Sequence, residues 1–338
     1  PTDVTVDATT ASTIASNLGS ANVQVSADRD IVISANITTN TNNNLLFTAG
    51  GSINMTGGYK IWLNTSNSTT YTATTATGSL YMGGVDVTTI DSTNWNTTCV
   101  TTCYAQASTT LPYAAVRIGV ASAVDIRVGG DVVIAGRNTQ TTGAYAGNTV
   151  YSGSVVYGKN VNFFGISSAG VGQQLSWGSN VPIDLKATNR LFIAGESSYY
   201  TDSAPAGYGT FLNGSKLTGS TVEIWGRNSN ASCVNTNWCS GVSLGWINTS
   251  GQTTDIYADI LKLKSNSVAL GYSPVNVYKL NSTFGLDLSS YDAGSSFGFK
   301  NWPDAYSSVL PMGGSNYSGY LLLPSSMGTS GTPFSVYR

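Results

Sequence analysis

Residues 129–138 read GGDVVIAGRN, and the figure returns as GKNVNFFGIS (158–167), TNRLFIAGESS (188–198) and GSTVEIWGRNS (219–229). A looser copy, YADILKLKSNS, occupies 257–267. Each copy leads from a polar start into apolar residues at alternate positions and closes on small and polar ones. The alternation begins at Val132, Val161, Leu191 and Val222, which lie 29, 30 and 31 residues apart. A period of about thirty residues with variable loops between is the signature of a solenoid, because insertions sit outside the stacked strands.

Working outward, the same alternation runs through the first sixty positions, at Val4 and Val6, Val23 and Val25, Ile31 and Ile33, Leu45 and Phe47, Ile53 and Met55, and Ile61 and Leu63. Short period-two runs separated by Asn, Thr and Gly read as many half-buried strands. Only Thr9 to Leu18, where Ala and Ile recur, suggests a helical turn. Stacking aligns like residues at a strand spacing of about 4.8 Å, so Val, Ile, Leu and Phe would form continuous ladders inside the coil. Asn and Thr would ladder at the turns.

Composition agrees with this reading. Only 9% of the 338 residues are charged, and 86 are Ser or Thr and 29 Asn. Like charges stacked at each strand spacing would repel, so a stacked coil favours neutral polar residues. The chain has only two Glu (Glu196 and Glu223) and eight Lys, leaving few exposed-helix formers. The expected fold is therefore all-β, a parallel β-helix. The alternative is a β-sandwich of the pilin type, completed by a neighbour's strand.

The stretch DVTVDATTASTIASNLGSANVQVSADRDIVISANITTNTNNNLLFTAGGSINMTGG resembles the repeats of filamentous-haemagglutinin-type adhesins, which are exported by two-partner secretion. The matching elements are Val4 to Ala8, Val23 to Ala27, Ile31 to Ala35 and Leu45 to Ile53. The likeness is clearest over residues 1–60. It implies a right-handed parallel β-helix with an extracellular adhesive or scaffolding role. The family's secretion motif of Asn-Pro-Asn-Gly type does not occur in this sequence.

Two regions follow, a solenoid body over 1–290 and an aromatic, Pro-rich segment over 291–338. The second holds Trp302, Tyr317, Tyr320 and Phe334, with Pro303, Pro311, Pro324 and Pro333 interrupting any ladder. It is expected to fold as a cap or to dock on the next subunit. The first residues look like an ordinary, uncapped coil, so Val4 and Val6 join those four aromatics as assembly candidates.

The chemistry expected is sparse. With no His in the chain, mechanisms built on Ser-His, Cys-His or His-ligated metal are excluded. Cys99 and Cys103 (C-x3-C), and Cys233 and Cys239 (C-x5-C), have poor zinc spacings and read as two disulfides in surface loops of an exported protein. Local pairing within each motif is expected, although spacing alone does not fix connectivity. The carboxylate pairs Asp28/Asp30, Asp125/Asp131 and Asp255/Asp259 could suggest polysaccharide cleavage. Each pair has a turn or strand-end explanation, with Arg29, Arg127 and Lys262 at hand for ion pairing. No enzyme, cofactor or metal is expected.

Net charge is −2 with no basic cluster, which removes the basis for nucleic-acid binding. No apolar run reaches about 18 residues, so no helical membrane span is expected. The chain begins at Pro1, which reads as a processed product. Sequons start at Asn36, Asn54, Asn64, Asn67, Asn96, Asn213, Asn230, Asn248, Asn281 and Asn316. The function expected is an extracellular or cell-surface fibre subunit, glycosylated and assembling with itself head to tail through strand pairing. The alternative is a glycan-binding adhesin segment of a longer surface protein.

Overall fold

A computed structural model describes residues 2–64, 76–109, 111, 113–140, 146–177, 181–199, 207–230, 239–244, 253–265, 268–270, 275–281 and 284–291. It also gives the backbone of the strands Phe299–Asn301, Leu321–Leu323 and Phe334–Val336. The chain is a parallel β-helix. One face is a ten-stranded sheet that starts at Val4–Val6, passes through Ile31–Ile33, Ile53–Met55 and Ala114–Ile118, and ends at Phe299–Asn301. Nine strand spacings give this stack a length of roughly 45 Å.

The other two faces belong to a sixteen-stranded sheet. Ile37–Thr38, Lys60–Trp62 and Asp125–Arg127 lie on face two, and Val23–Ala27, Leu45–Ala49, Leu80–Gly83 and Val132–Asn138 on face three. In coils five to eight single long strands serve both faces, and in the ninth Val275–Lys279 and Gly285–Ser289 are separate again. In Val155–Ser167, Val155–Tyr157 pairs with Asp125–Arg127 and Val161–Ser167 with Val132–Asn138. Shifts of register between Gly158 and Asn160, and between Lys186 and Arg190, mark the corner where each strand bends.

Parallel neighbours decide against the sandwich alternative. A tight hairpin joins only antiparallel strands, whereas a parallel partner is reached by travelling round the coil. The register follows the repeat read from the sequence, since Val132, Val161, Leu191 and Val222 are direct partners across consecutive strands. Leu261 of the looser copy extends the row. The stack continues past residue 290, where Phe299–Asn301 pairs parallel with Val268–Leu270. Phe334–Val336 then turns back antiparallel on Leu321–Leu323.

Inside, the alternating residues form the expected columns. Face two contributes Ile61, Ile126, Val156, Leu185, Leu217 and Ile256 in one file, all fully buried. Each such side chain adds about 1.5–3 kcal/mol of burial free energy.

Polar ladders close the turns. Asn138, Ser167, Ser197 and Asn228 are register partners. Each accepts from the backbone N–H two residues on, at 2.8–3.2 Å. A second ladder passes from Asn22 through Asn44, Ser79, Asp131 and Asn160 to Asn189, each link being a hydrogen bond of 2.8–3.0 Å. These ladders, with Asp131 their one carboxylate, satisfy turn groups without stacking like charge.

The tightest part of the fold is a seam of glycines. Gly136, Gly165, Gly195 and Gly226 stand in register on face three, against Gly147, Gly172, Gly209 and Gly241 of the facing strands. A Cβ on Gly195 would overlap the carbonyl oxygen of Gly209, and one on Gly226 would overlap that of Gly241. Beside the seam, Asn148 donates at 2.8 Å to the Phe164 carbonyl and at 2.8 Å to Gln173, while Thr210 donates at 2.7 Å to the Trp225 carbonyl.

The N-terminus corrects two expectations. Thr9 to Leu18 is no single turn but most of a ten-residue helix, Ala8–Asn17. Asp7 caps it by accepting from Thr10 N at 2.8 Å, and Ala11, Ile14 and Leu18 are buried at helical spacing. The helix takes the place of a face-two strand in the first coil and packs on Ile37–Thr38. The carbonyl of Leu18 is tied down by Thr41 and Asn43. One face of the first coil is therefore capped, not open.

Candidate functional site

The inner columns are uniform, so any specific function lies in what the faces carry outward. On face three the outward residues are apolar in the middle of the stack. Val133, Phe164 and Phe192 form a second core with Val87, Ile90, Trp95 and Tyr104 of the insertion 84–104. Trp95, Phe164, Phe192 and Trp225 run in sequence along it, with ring centroids 6.4, 5.4 and 4.9 Å apart. The insertion thus lies across the strands as a cover.

Cys99 and Cys103 are joined in that cover, with Cα atoms 5.3 Å apart. They are 4% and 1% exposed, so this disulfide is not a surface feature as expected from its polar neighbours. The aromatic columns beneath bury it. Cys233 lies outside the described residues, and Cys239 begins a strand of face one, Cys239–Leu244. Tyr104 donates at 2.6 Å to the Trp95 carbonyl, and complete burial holds its phenol well above its ordinary pKa.

Both glutamates of the chain sit beside this cover. Glu223 accepts from Arg190 at 2.9 and 3.1 Å and lies 3.6 Å from Lys262. Glu196 lies 3.6 Å from Arg227, and Asn96 of the cover donates to it and to the Tyr291 hydroxyl. Lys264 is placed over the Trp225 ring at 4.3 Å. Sequence reasoning assigned the two glutamates no role, and read Asn96 only as a sequon and Lys262 as a partner for Asp255 and Asp259. A signal was present, because Glu196 and Glu223 fall inside two copies of the repeated unit. They sit four residues and one strand apart, roughly 14 Å, too far for a glycosidase carboxyl pair, which needs about 5–9.5 Å.

Face one is closed outside over part of its length, although Val32, Arg117 and Gln174 in the same outward file are half-buried. Asn54, Thr149, Phe211 and Ser243 point outward by alternation yet are buried. Face two differs, for no second apolar cluster forms on it among the described residues. One outward file holds Trp62, Arg127, Tyr157, Lys186, Tyr257 and Tyr278, interrupted only by Thr218. Cations and rings interleave: Lys60 is 4.5 Å and Arg127 5.0 Å from the Trp62 ring, and Arg127 is 5.4 Å from Tyr157. Tyr257 and Tyr278 stack at 4.7 Å. The adjoining file runs Lys60, Asp125, Val155, Asp184, Lys216 and Asp255. Tyr157 donates to Asp184 at 2.7 Å, and burial with that carboxylate beside it pushes the phenol upward.

The carboxylate pairs singled out in the sequence are engaged separately. Asp30 is buried and accepts from Ser52 N and the Ser108 hydroxyl, while Asp28 accepts from Thr2. Arg29 pairs chiefly with Asp3. Asp125 pairs with Arg127 on face two, and Asp131 belongs to the turn ladder. Asp255 accepts from Asn276 and Asp259 from Asn281. Lys262 pairs with Glu223 and not with either aspartate, because its outward position places it beside Glu223 in the register. Among the described residues no group of three or more His, Cys, Asp or Glu gathers, and no helix is long and apolar enough to cross a membrane.

Of the sequons, Asn36 and Asn281 are exposed, and Asn96, Asn213 and Asn230 half-buried. Asn54 and Asn64, 7% and 5% exposed, leave no room for a sugar. Alternation does turn Asn54 outward, but the outer side of face one is closed at that position. Asn67, Asn248 and Asn316 lie outside the described residues. Val4 is half-buried and Val6 fully buried. Trp302, Tyr317 and Tyr320 lie outside the described residues, and for Phe334 only the backbone strand is described. Comparison with protein-family models, with curated proteins and with solved structures finds no match to this chain.

Proposed function

We propose that the chain is an extracellular structural solenoid, a length of surface fibre whose stack is continued head to tail by another copy. The observation that carries this reading is the state of the first coil. Its helix covers one face only. The strands Val4–Val6 and Val23–Ala27 each pair on one side among the described residues. Val4, Val23 and Val25 are half-buried, whereas their column partners Ile31, Leu45 and Phe47 are fully buried. A parallel strand laid on those edges would complete both the hydrogen bonds and the columns. Contacts of this head-to-tail kind propagate as filaments.

The low charge, largely uncharged turn ladders and disulfide-stapled cover suit an exposed, oxidising setting. Sugars on Asn36 and Asn281 belong to the same proposal. The reading assigns the chain no catalysis. Negative-stain microscopy of the purified chain should show filaments growing along the coil axis. Val25→Lys, which puts a charge on the end of the column, should leave isolated rods. Isolated rods from the unaltered chain, or filaments from Val25→Lys, would overturn head-to-tail stacking.

A further inference from the structure

Among the described residues face two carries no outer apolar cluster, its outward side chains being half-buried or exposed apart from Thr218, and they are unlike those of a merely solvated surface. Aromatic rings recur along it over seven strands, from Trp62 to Tyr278, a track of about 29 Å at the ordinary strand spacing. Its width is about three residues, roughly 10 Å. An area near 300 Å² is well below the ~800 Å² per partner of a stable protein interface. Those dimensions suit a narrow, extended polymer lying along the coil axis.

Charge narrows the chemistry. Lys60, Arg127, Lys186 and Lys216 are balanced by Asp125, Asp184 and Asp255, so the track carries little net field to attract a polyanion. Donors and acceptors instead lie side by side across the two files, with Arg127 beside Asp125 and Tyr157 beside Asp184, which matches a ligand whose groups both donate and accept, namely hydroxyls. The rings supply an apolar surface for C–H faces. Two polar atoms of the track, Trp62 Nε1 and Asp184 Oδ1, have no hydrogen-bond partner. Shielded groups of this kind cost free energy until they are paired. Lys60 lies over the Trp62 ring on a long, exposed side chain, whereas Arg127, also beside the ring, is held by Asp125.

We propose that face two is a binding track for an extended, neutral, hydroxyl-rich polysaccharide strand, with Trp62, Tyr157, Tyr257 and Tyr278 as its stacking positions and the Asp and Lys/Arg file as its hydroxyl partners. This goes beyond the fibre reading and stands whether or not coils stack end to end.

The test is calorimetric titration of the intact chain with cellohexaose, chitohexaose and soluble mannan, with polygalacturonate as the polyanionic comparison. At least one neutral glycan should bind, hexasaccharide more tightly than disaccharide, with affinity nearly unchanged when salt is raised tenfold. Trp62→Ala and Tyr257→Ala should each weaken binding about tenfold, in line with ~1.4 kcal/mol for one lost stacking contact. Trp225→Ala, on face three, should leave affinity unaltered. Thermal unfolding of each variant separates lost binding from lost fold, and Tyr257, near the surface, keeps the test open should Trp62→Ala misfold. The proposal falls if no neutral glycan binds, if only polygalacturonate binds and salt abolishes it, or if the folded Tyr257→Ala variant binds as tightly as the unaltered chain.

Discussion

The strands Val155–Ser167, Ile183–Ser197 and Ser215–Asn228 each cross two faces of the coil, and the two halves of each strand meet different fates. Their inward residues are alike, Val156, Leu185 and Leu217 on one half and Val161, Leu191 and Val222 on the other, all fully buried. Outward, the first halves carry the half-buried Tyr157 and Lys186 and the buried Thr218, and no outer apolar cluster forms over them among the described residues. The second halves carry Phe164 and Phe192 and recruit the insertion 84–104. Stacking is therefore set by the inner column, and covering by the outer one. The glycine seam belongs to the shared part, so breaking it should break both faces together. Gly195→Val places a side chain against the Gly209 backbone and should cost more than about 4 kcal/mol, abolishing cooperative unfolding in a thermal melt monitored by circular dichroism. A loss near 1 kcal/mol would mean that the two sheets can part at the seam.

The next largest effect separates the faces. Phe192→Ala removes a fully buried ring from the covered side and should cost about 3–4 kcal/mol. Tyr157→Ala, half-buried on the bare side, should cost distinctly less in the same denaturant titration. Equal losses would erase the distinction between the faces. Cys103→Ser comes third, at about 2 kcal/mol, since the bond closes a short loop with a sequence separation of 4. Its effect should be confined to the cover, seen as a changed Trp95 environment without a change in total β content. Because both residues are buried, labelling of Cys99 and Cys103 after dithiothreitol, told apart from Cys233 and Cys239 by peptide mapping, should require denaturant.

Alkali should act on the same side. The phenol of Tyr104 is held above its ordinary value by burial, so the folded state keeps a proton that the unfolded chain releases above pH 10. The stabilisation is complete below about pH 10 and declines as pH rises beyond it, by about 1.4 kcal/mol per unit for one such group. Tyr208, also buried and shifted upward, adds a second contribution on face one. Tyr104→Phe should lower stability at neutral pH, through loss of the bond to the Trp95 carbonyl, and flatten the alkaline slope. An unaltered slope would place Tyr104 in contact with solvent.

Much of the fold was legible because a parallel coil writes its register into the sequence. Val132, Val161, Leu191 and Val222 are spaced by one circuit of chain and become direct partners. The seam was less legible. Gly136, Gly165, Gly195 and Gly226 stand at one point of each repeat, but their glycine partners sit in segments such as AGNTV and YGTFL, separated by loops of unequal length. The helix at Ala8–Asn17 was understated because Thr and Ser fill its exposed side, and its Asp7 cap was not read as one. The cover on face three was illegible for another reason. Alternation tells inward from outward but not whether an outward ring will be covered, and Phe164 and Tyr157 look alike until the insertion is placed.

The smallest expected effect tests the bare face itself. Asp125 holds Arg127 through two hydrogen bonds, at 2.8 and 3.0 Å, with both side chains partly exposed. Such a pair contributes about 0.2–1 kcal/mol, and less as salt screens it. Arg127 also lies beside the Trp62 and Tyr157 rings, so losing its carboxylate leaves it packed. Asp125→Asn keeps the shape and removes only the charge. It should therefore lower stability by less than about 1 kcal/mol in low salt and by nearly nothing in high salt. Were the loss several-fold larger and indifferent to salt, the pair would be shielded from water. Face two would then be as closed as face three, and the contrast between the two halves of each strand would fail where it is easiest to measure.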